Sequence, residues 1–214
     1  NRGAGFFSEV GQFAGIAKTD WSWSILMADF DNDSWADVFV TNGINKDIRN
    51  NDFLLEIEGQ DGRNLLEDSQ KAPSQPLANF AFRNNGDLHF EDVSEAWNLN
   101  LEGFSHGAAY ADLDLDGDLD LIVNHTSQPA SIFENQTSNN ANWLRIKIKG
   151  WGSNTNGLGS KAILHCGEKK QYQDLTNVRG FQSASEAVLH FGLGDSKKVD
   201  TLFVIFPDGK MHRL

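Results

Sequence analysis

Residues 29–37 read DFDNDSWAD and residues 112–120 read DLDLDGDLD, so the chain holds two nine-residue loops with aspartate at positions 1, 3, 5 and 9. The loops are offset by 83 residues (112 minus 29). Apolar residues outside the loops coincide at the same offset without a gap: Phe7 with Phe90, Val10 with Val93, Ile16 with Leu99, and Val40 with Val123. Such internal repetition is typical of arrays in which each unit buries its apolar face against a neighbour. The sequence therefore predicts two repeated units, each with an acidic loop between two strands.

The composition favours a globular, all-β chain. Hydrophobic residues make up 39% of the 214 residues, with 15 Phe and 6 Trp, which is enough to form a core. Twenty glycines between short apolar runs indicate frequent turns. The net charge is −12 (18 minus 30). This charge argues against a nucleic-acid partner, because binding phosphates needs a basic surface, and it suits cations instead.

A further strand is expected to close each unit, because Phe82-Arg-Asn and Phe133-Glu-Asn share an aromatic-x-Asn form. The first unit also carries an insertion from Asn45 to Asn79, whose apolar spacing is helix-like until Pro73 and Pro76. We interpret this insertion as a short helical excursion on a β-framework. It is either a binding surface or a packed cover over one edge.

The sequence changes in character after Asn135, where a polar stretch leads into alternating residues that begin at Trp143 and predict a half-buried strand. We place a domain boundary near residue 139, giving a repeat domain at 1–138 and a small β-sandwich-like domain at 139–214. Four later segments have the pattern of short strands separated by Gly or Asp turns: Lys161 to His165, Gln171 to Leu175, Ala187 to Phe191, and Thr201 to Phe206.

The aspartate spacing predicts metal binding. Oxygen ligands recur along each loop, and a backbone carbonyl near position 7, from Trp35 or Asp118, adds another; calcium accepts about six to eight such ligands. The predicted carboxylate ligands are Asp29, Asp31, Asp33 and Asp37 in the first loop and Asp112, Asp114, Asp116 and Asp120 in the second. Crowded carboxylates repel one another, so cation binding and loop folding should be coupled.

An EF-hand is excluded, because it needs glutamate at position 12, where this chain has Val40 and Val123. The two loops also differ at position 6. Ser34 occupies it in the first loop and Gly117 in the second, and a Cβ resists the left-handed conformation that such a turn favours. The second loop is therefore the stronger prediction.

Cys166 is the only cysteine, so no intrachain disulfide is possible. No apolar run approaches the length needed to cross a bilayer, so no membrane span is expected in this fragment. The first residues do not have the pattern of a secretion signal, and the signal of an exported parent would lie outside the fragment.

The stretch from Phe104 to Leu121, FSHGAAYADLDLDGDLDL, resembles the FG-GAP/VCBS repeats of integrin-like β-propellers. The C-terminal part resembles the ASPIC/UnbV domain that follows such repeats in cartilage-acidic-protein-like chains and bacterial surface proteins. The residues that carry this second resemblance are Asn142-Trp-Leu-Arg-Ile-Lys-Ile-Lys-Gly, Leu189-His-Phe-Gly-Leu-Gly and Phe206-Pro-Asp-Gly. The resemblance implies a partial propeller-like arrangement, since two units cannot close a propeller of four or more blades.

The same resemblance implies that the loop aspartates bind two calcium ions as a structural brace. It also implies an extracellular or cell-surface, secreted protein with a binding or adhesion role, no catalytic residues, and an unknown protein or glycan ligand. Trp21, Trp23 and Trp35 near the first loop form either a glycan-stacking platform or part of the core. The alternative function is an accessory or catalytic part of a carbohydrate-active surface enzyme.

Overall fold

The computed structural model describes residues 5–58, 64–137 and 141–214. Strands dominate these residues, and the prediction of an all-β chain is confirmed. The helices are short: α1 Gly11–Ala14, α2 Asn51–Ile57 and α3 Leu65–Lys71. The strands up to the predicted boundary are β1 Ser22–Ala28, β2 Asp37–Asn42, β3 Leu77–Ala78, β4 Phe80–Asn84, β5 Phe90–Asp92, β6 Glu102–Gly103, β7 Ser105–Ala111, β8 Asp120–His125 and β9 Ser131–Phe133.

Beyond the predicted boundary the strands are β10 Asn142–Ile146, β11 Lys161–Cys166, β12 Lys169–Asp174, β13 Leu189–Gly194, β14 Thr201–Ile205 and β15 Met211–Arg213. The boundary itself falls at residues 138–140, outside the described ranges. The four segments predicted as strands in this part overlap β11, β12, β13 and β14, with bounds that differ by up to three residues.

Two antiparallel sheets form the repeats. The first has the order β1-β2-β4-β5 and the second the order β7-β8-β9. A two-stranded ladder of β3 and β6 lies beside them. None of these sheets closes on itself within the described residues, so the structure shows two open units and no complete propeller.

The pairing register repeats with the sequence. The pairs that correspond at the 83-residue offset are Ser22↔Asn42 with Ser105↔His125, Ile25↔Val40 with Ala108↔Val123, and Ala28↔Asp37 with Ala111↔Asp120. Both ladders shift register at the same place, after Ser22 and after Ser105. The closing strands also correspond, because Phe82 pairs with Val38 as Phe133 pairs with Leu121. The predicted repeat and its closing strands are therefore confirmed in three dimensions.

The two units share an apolar core. Leu26 and Phe39 of the first sheet are buried against Leu121 and Val123 of the second. Burial of each such side chain contributes about 1.5–3 kcal/mol, so this shared face is a main source of stability. A separate cluster on the other face of the first sheet consists of Val38, Val40 and Phe82, with Ile16, Phe80 and Phe90 packed against them. The first sheet is thus covered on both faces. The second sheet is covered on the face that packs against the first, as the repeat pattern requires.

The insertion contains two helices, as its sequence pattern predicts. Asn50 and Asn64 begin α2 and α3 by accepting hydrogen bonds from Phe53 and Leu66 N–H, at 3.1 Å in each case. Phe53, Ile57 and Ala72 form a small core of their own. Residues 59–63 of the insertion lie outside the described ranges.

The C-terminal part consists of a two-stranded sheet, β10-β13, and a four-stranded sheet, β12-β11-β14-β15. Both sheets contribute to one core, in which Leu189 and Phe191 of β13 meet Leu164 of β11 and Val204 of β14. Two sheets around one core agree with the expected small β-sandwich-like domain. No helix among the described residues is long and apolar enough to span a bilayer.

Candidate metal centres and their junction

Both acidic loops connect the first two strands of a unit, at one end of its sheet. In each loop, three carboxylates come together with oxygen atoms within 4.8 Å of one another: Asp29, Asp31 and Asp37 in the first loop, and Asp112, Asp114 and Asp116 in the second. Hard carboxylate oxygens at this spacing are the ligands that calcium takes in proteins. The two loops therefore form candidate metal centres at equivalent places in the repeat.

The last aspartate of each loop fastens three strands together. Asp37 accepts hydrogen bonds from Phe30 N–H (3.0 Å) and Asn84 N–H (2.9 Å). Asp120 accepts the equivalent bonds from Leu113 N–H (2.8 Å) and Asn135 N–H (2.9 Å). The shared asparagine of the closing strands has a physical reason in its side chain, because Asn84 Nδ2 donates to Ala36 O (3.0 Å) and Asn135 Nδ2 donates to the equivalent Leu119 O (3.2 Å).

The loop backbones follow one path. Asp33 N–H donates to Asp31 Oδ1 (3.2 Å), and Asp116 N–H donates to Asp114 Oδ1 (3.3 Å). Left-handed residues occur at positions 4 and 6 of both loops. Their φ angles are +59° at Asn32, +84° at Ser34, +67° at Leu115 and +96° at Gly117. Each loop thus has one residue that tolerates this conformation, Asn32 or Gly117, and one that is strained, Ser34 or Leu115.

The first aspartates of the two loops have different partners. Asp29 accepts hydrogen bonds within its own loop, from Asp33 N–H (3.0 Å) and Ser34 N–H (2.8 Å). Asp112 is instead bound by Arg145 of β10, whose Nη1 lies 2.8 Å from Asp112 Oδ2. The Asp112 side chain is 0% exposed, so this is a buried ion pair. Arg145 also pairs with the carboxylate of Glu186.

Asn32 joins the two loops to the C-terminal part. Its Nδ2 donates to Gly117 O of the second loop (3.0 Å), and its Oδ1 accepts from His190 Nε2 of β13 (2.7 Å). Its carbonyl accepts from Gly194 N–H (2.9 Å). Trp143 of β10 lies so close to Gly117 that a Cβ there would fall 1.8 Å from the indole ring. Strands β10 and β13 are therefore seated directly on both loops.

Burial makes the carboxylates costly to ionise. It raises the pKa of Asp29 to about 8, with smaller contributions from the neighbouring aspartates. It also raises the pKa of Asp37 to about 7, opposed in part by the Asn84 N–H. The pKa of Asp118 is raised to about 7 by burial and by the nearby charge of Asp116. His190 moves the other way, because burial lowers its pKa to about 4 and keeps the ring neutral.

Two buried carboxylate oxygens in the second loop have no hydrogen-bond partner among the described residues, Asp112 Oδ1 and Asp118 Oδ1. A buried carboxylate oxygen without a donor is unfavourable, and a cation relieves that cost. The clustered carboxylate oxygens, together with these two unpartnered oxygens, therefore fit a bound cation. The open sides of both loops give it access. A cleft of about 560 Å³ reaches Asp31 and Asp33, and Asp114 and Asp116 are exposed.

Not every predicted ligand joins a cluster. Asp33 Oδ1 accepts a hydrogen bond from Trp35 N–H (2.7 Å), and both oxygens of Asp120 are bound by backbone N–H groups. These two aspartates lie outside the close groups of three. Asp118, expected to contribute its carbonyl, also buries its side chain, whose Oδ2 accepts from Thr137 N–H (3.2 Å). Trp35 is 43% exposed.

The sequence patterns did not identify Asn32, Arg145 or His190 as parts of the site. Arg145 and His190 lie in β10 and β13, far from the loops in sequence, and pattern reasoning had no means of placing them on the loops. Asn32 occupies a loop position at which only its tolerance of the left-handed conformation could have attracted notice.

The C-terminal strands match a known family. Residues 150–214 match the family model described as ASPIC and UnbV. The chain is also 30% identical over 194 residues to cartilage acidic protein 1 of Homo sapiens. This alignment covers 88% of the present chain and 25% of the human protein. The same protein of Mus musculus is 30% identical and that of Xenopus tropicalis 29% identical over the same length. The chain spans about a quarter of these relatives. The predicted resemblance to ASPIC/UnbV is thereby confirmed over residues 150–214.

Relief of the strained left-handed residues should stabilise each loop. We expect Ser34→Gly to raise the free energy of unfolding by about 1 kcal/mol, since the left-handed penalty of roughly 1–2 kcal/mol exceeds the added backbone entropy of glycine. Leu115→Asn should raise the free energy of unfolding by about 0.5–1 kcal/mol, because asparagine tolerates this conformation. Denaturant unfolding at fixed calcium measures both. Leu113→Asn, at an exposed neighbour without a positive φ, is the control and should give no gain.

Loss of the buried ion pair should be costly. We expect Arg145→Met to lower the free energy of unfolding by about 3 kcal/mol, because it leaves the Asp112 carboxylate buried without its cationic partner. Arg83→Met is the matched control, since Arg83 pairs with Glu91 on the surface and its loss should cost less than about 1 kcal/mol. Equal losses for the two variants, measured by denaturant unfolding, would show that Arg145 does not anchor the second loop.

Proposed function

We propose that this chain is a calcium-braced, non-catalytic binding module of an extracellular protein, with one ion in each acidic loop. The observation that carries the proposal is the pair of equivalent three-carboxylate clusters, of which the second contains one buried oxygen without a donor, Asp112 Oδ1. The ions would offset the mutual repulsion of the carboxylates and fix the ends of the first two strands in each unit.

Calcium suits these loops better than magnesium. The first cluster combines two buried carboxylates with one half-buried carboxylate, and the second combines one buried carboxylate with two exposed ones. Calcium accepts six to eight oxygens in an irregular shell, whereas magnesium demands a near-octahedral one and keeps several waters. We assign the loops and their sheets to FG-GAP/VCBS-type repeats of a propeller-like array, a proposal supported by the repeated register and by the core shared between the units.

A non-catalytic role is supported by the buried serine–histidine contacts of the second sheet, which link strands. Ser105 Oγ lies 3.1 Å from His125 Nδ1, a contact that resembles an activated nucleophile. Ser105 is 0% exposed, however, and His125 also contacts Ser131 Oγ at 2.9 Å, so the group links strands inside the second sheet. A substrate would not reach this serine.

An extracellular setting is supported by similarity to cartilage acidic protein 1, whose name describes a cartilage protein, and by the need of exposed acidic loops for abundant calcium. The ligand would be a protein or a glycan. The three tryptophans near the first loop do not share one platform. Trp21 lies under the Arg49 guanidinium, Trp23 contacts His106 and Phe181, and Trp35 lies against Gly86.

Calcium titration tests the metal sites. Calorimetry on chelator-stripped protein should show two ions bound and a raised thermal midpoint. Asp31→Asn and Asp114→Asn should each remove one ion, because asparagine keeps the turn-forming oxygen but loses the charge. Asp87→Asn is the control, since Asp87 Oδ1 accepts from His89 N–H (3.0 Å) in a similar turn outside the loops. An absence of heat and of any shift in the midpoint would refute the proposal.

Calcium binding should release protons near neutral pH. The folded, metal-free chain keeps protons on Asp29 (pKa about 8) and Asp37 (about 7) at pH values where the unfolded chain, with a value of 3.8, has lost them. The stability that these two groups contribute without metal is therefore present at acid pH and lost as pH rises from about 4 to about 8. Calorimetry at pH 7 in buffers of different ionisation enthalpy should reveal the released protons, and calcium affinity should rise with pH.

A further inference from the structure

Charge is divided unequally along the chain. Residues 141–214 carry 11 Lys and Arg against 6 Asp and Glu, a net charge of +5 (11 minus 6). Residues 1–140 carry 7 against 24, a net charge of −17 (7 minus 24). The acidic character of the protein therefore belongs to the repeats, and the C-terminal strands form a basic part within an acidic molecule.

The four-stranded C-terminal sheet has a core face and an outer face. Ala162, Leu164, Leu202 and Val204 point into the core that this sheet shares with β13. The residues that alternate with them point to the outer face, because successive side chains of a strand lie on opposite sides of the sheet. Directly paired residues share a face, so the strand register shows which side chains meet there.

The outer face has an apolar middle. One row across the strands joins Tyr172 of β12, Ile163 of β11 and Phe203 of β14. Ile205 of β14 and Met211 of β15 form the next pair beside it. Tyr172 is 51% exposed and Met211 is 59% exposed. Neighbouring exposed apolar side chains, unlike scattered ones, indicate a contact surface.

Two cations border this apolar middle at opposite edges of the sheet. Lys170 lies on β12 and Arg213 on β15, which are the two outer strands. Neither has a carboxylate partner among the described residues. The carboxylate of Asp174 on the same face accepts from Tyr172 O–H (2.9 Å) and lies 3.9 Å from Lys161 Nζ. Two positive charges thus remain, about 14 Å apart across three strand spacings.

Several occupants fit this face poorly. Lys161 Nζ lies 6.0 Å from the centre of the Tyr172 ring, and Arg213 Cζ lies 5.9 Å from that of Phe203. Stacking of a sugar or a base needs an open ring face, so these contacts disfavour both ligands. A second copy docked through the same face would bring like charges together. The apolar middle and the two cations instead complement a partner that is apolar at its centre and acidic at its ends.

We propose that the outer face of this sheet binds an amphipathic, acidic α-helix of a partner protein. The apolar stripe of the helix lies over Ile163 and Phe203, since a sheet face and a helix stripe are complementary packing surfaces. Its carboxylates lie towards Lys170 and Arg213, whose separation of about 14 Å corresponds to about ten helical residues. The inference names a partner class for the binding role proposed above, and it does not depend on the ions.

A synthetic peptide tests the site. The probe has about 14 residues, with leucine at i, i+3, i+4 and i+7 and glutamate near both ends. Its fluorescence anisotropy should rise when the chain is added, and circular dichroism should show a gain of helix. A scrambled peptide of the same composition is the control, because it keeps the charge and loses the stripe. Equal binding of the two peptides, or binding without a gain of helix, would contradict the proposal.

Charge reversal locates the contact. Lys170→Glu and Arg213→Glu together should weaken peptide binding about fivefold or more, because each replaces an attraction by a repulsion. Lys197→Glu is the matched control, since Lys197 is exposed in the connection between β13 and β14, outside the sheet. The same loss of affinity in the control would show a general attraction between charges and would overturn the assignment.

The two methionines of the chain test the apolar middle. Met211→Ser should weaken peptide binding about threefold or more, because it removes apolar surface from the contact. Met27→Ser is the control, since Met27 is 54% exposed on β1, outside this face. An unchanged affinity in Met211→Ser, or equal losses in both variants, would place the peptide elsewhere and refute the proposed site.

Two further measurements separate this proposal from its neighbours. Vesicles of phosphatidylserine and phosphatidylcholine should not bind, and vesicle binding that Lys170→Glu removes, without peptide binding, would assign the face to a membrane surface instead. Calcium binding is measured on the same samples. Intact calcium binding without peptide binding would refute the helical partner alone, whereas peptide binding without calcium binding would refute the metal sites alone.

Discussion

The carboxylates of Asp37 and Asp120 hold each repeat unit together. Each is buried, and each binds a backbone N–H of its own loop and another of the closing strand. Strand ladders cannot supply these bonds at the end of a sheet, where the chain turns away from its neighbour. Because one side chain satisfies both groups, the positions of the first, second and closing strands become linked. The whole unit then depends on a buried carboxyl group, and the other loop aspartates place further carboxyl groups around it.

The C-terminal strands compensate part of this crowding of carboxyl groups and are anchored by the same loops. Arg145 compensates Asp112 inside the second loop, whereas the first loop relies on its own backbone N–H groups at Asp29. Asn32 then bonds to Gly117, His190 and Gly194, which gives both loops and β13 a common anchor. Burial keeps His190 neutral, so this anchor does not add another charge to the junction. The acidic loops are therefore part of an interface between the repeats and the C-terminal part.

The repeat and its register could be predicted from the sequence, because a gapless offset combined with a side-chain period of two leaves one register that buries both apolar faces. The strain at Ser34 also follows from its position, and the structure gives it a φ of +84°. Leu115 was missed, since the spacing of aspartates carries no information about the residue between two of them. It makes the second loop as strained as the first, so the two loops are more alike than Gly117 alone suggests.

The partners of the loops could not be predicted from local pattern. Arg145 is 33 residues from Asp112 and His190 is 158 residues from Asn32, and those contacts depend on how the C-terminal strands pack on the repeats. Trp143 illustrates the same limit. Its alternation predicts a half-buried strand, whereas its packing on Gly117 requires the docked geometry. The glycine thus serves two purposes, a left-handed turn and room for an indole, and only the first is visible in the loop sequence.

The location of the loops determines what a bound cation would do. An ion on a free surface loop would stabilise that loop alone, but here β10 and β13 contact both loops through Arg145, His190 and Gly192. Gly192 lies so close to Asp29 that a Cβ there would fall 2.1 Å from the carboxylate oxygen. An ion that draws in the loop carboxylates would therefore fix the surface on which the C-terminal strands rest. Metal binding and the packing of the C-terminal strands would then be one equilibrium, because each requires the same loop conformation.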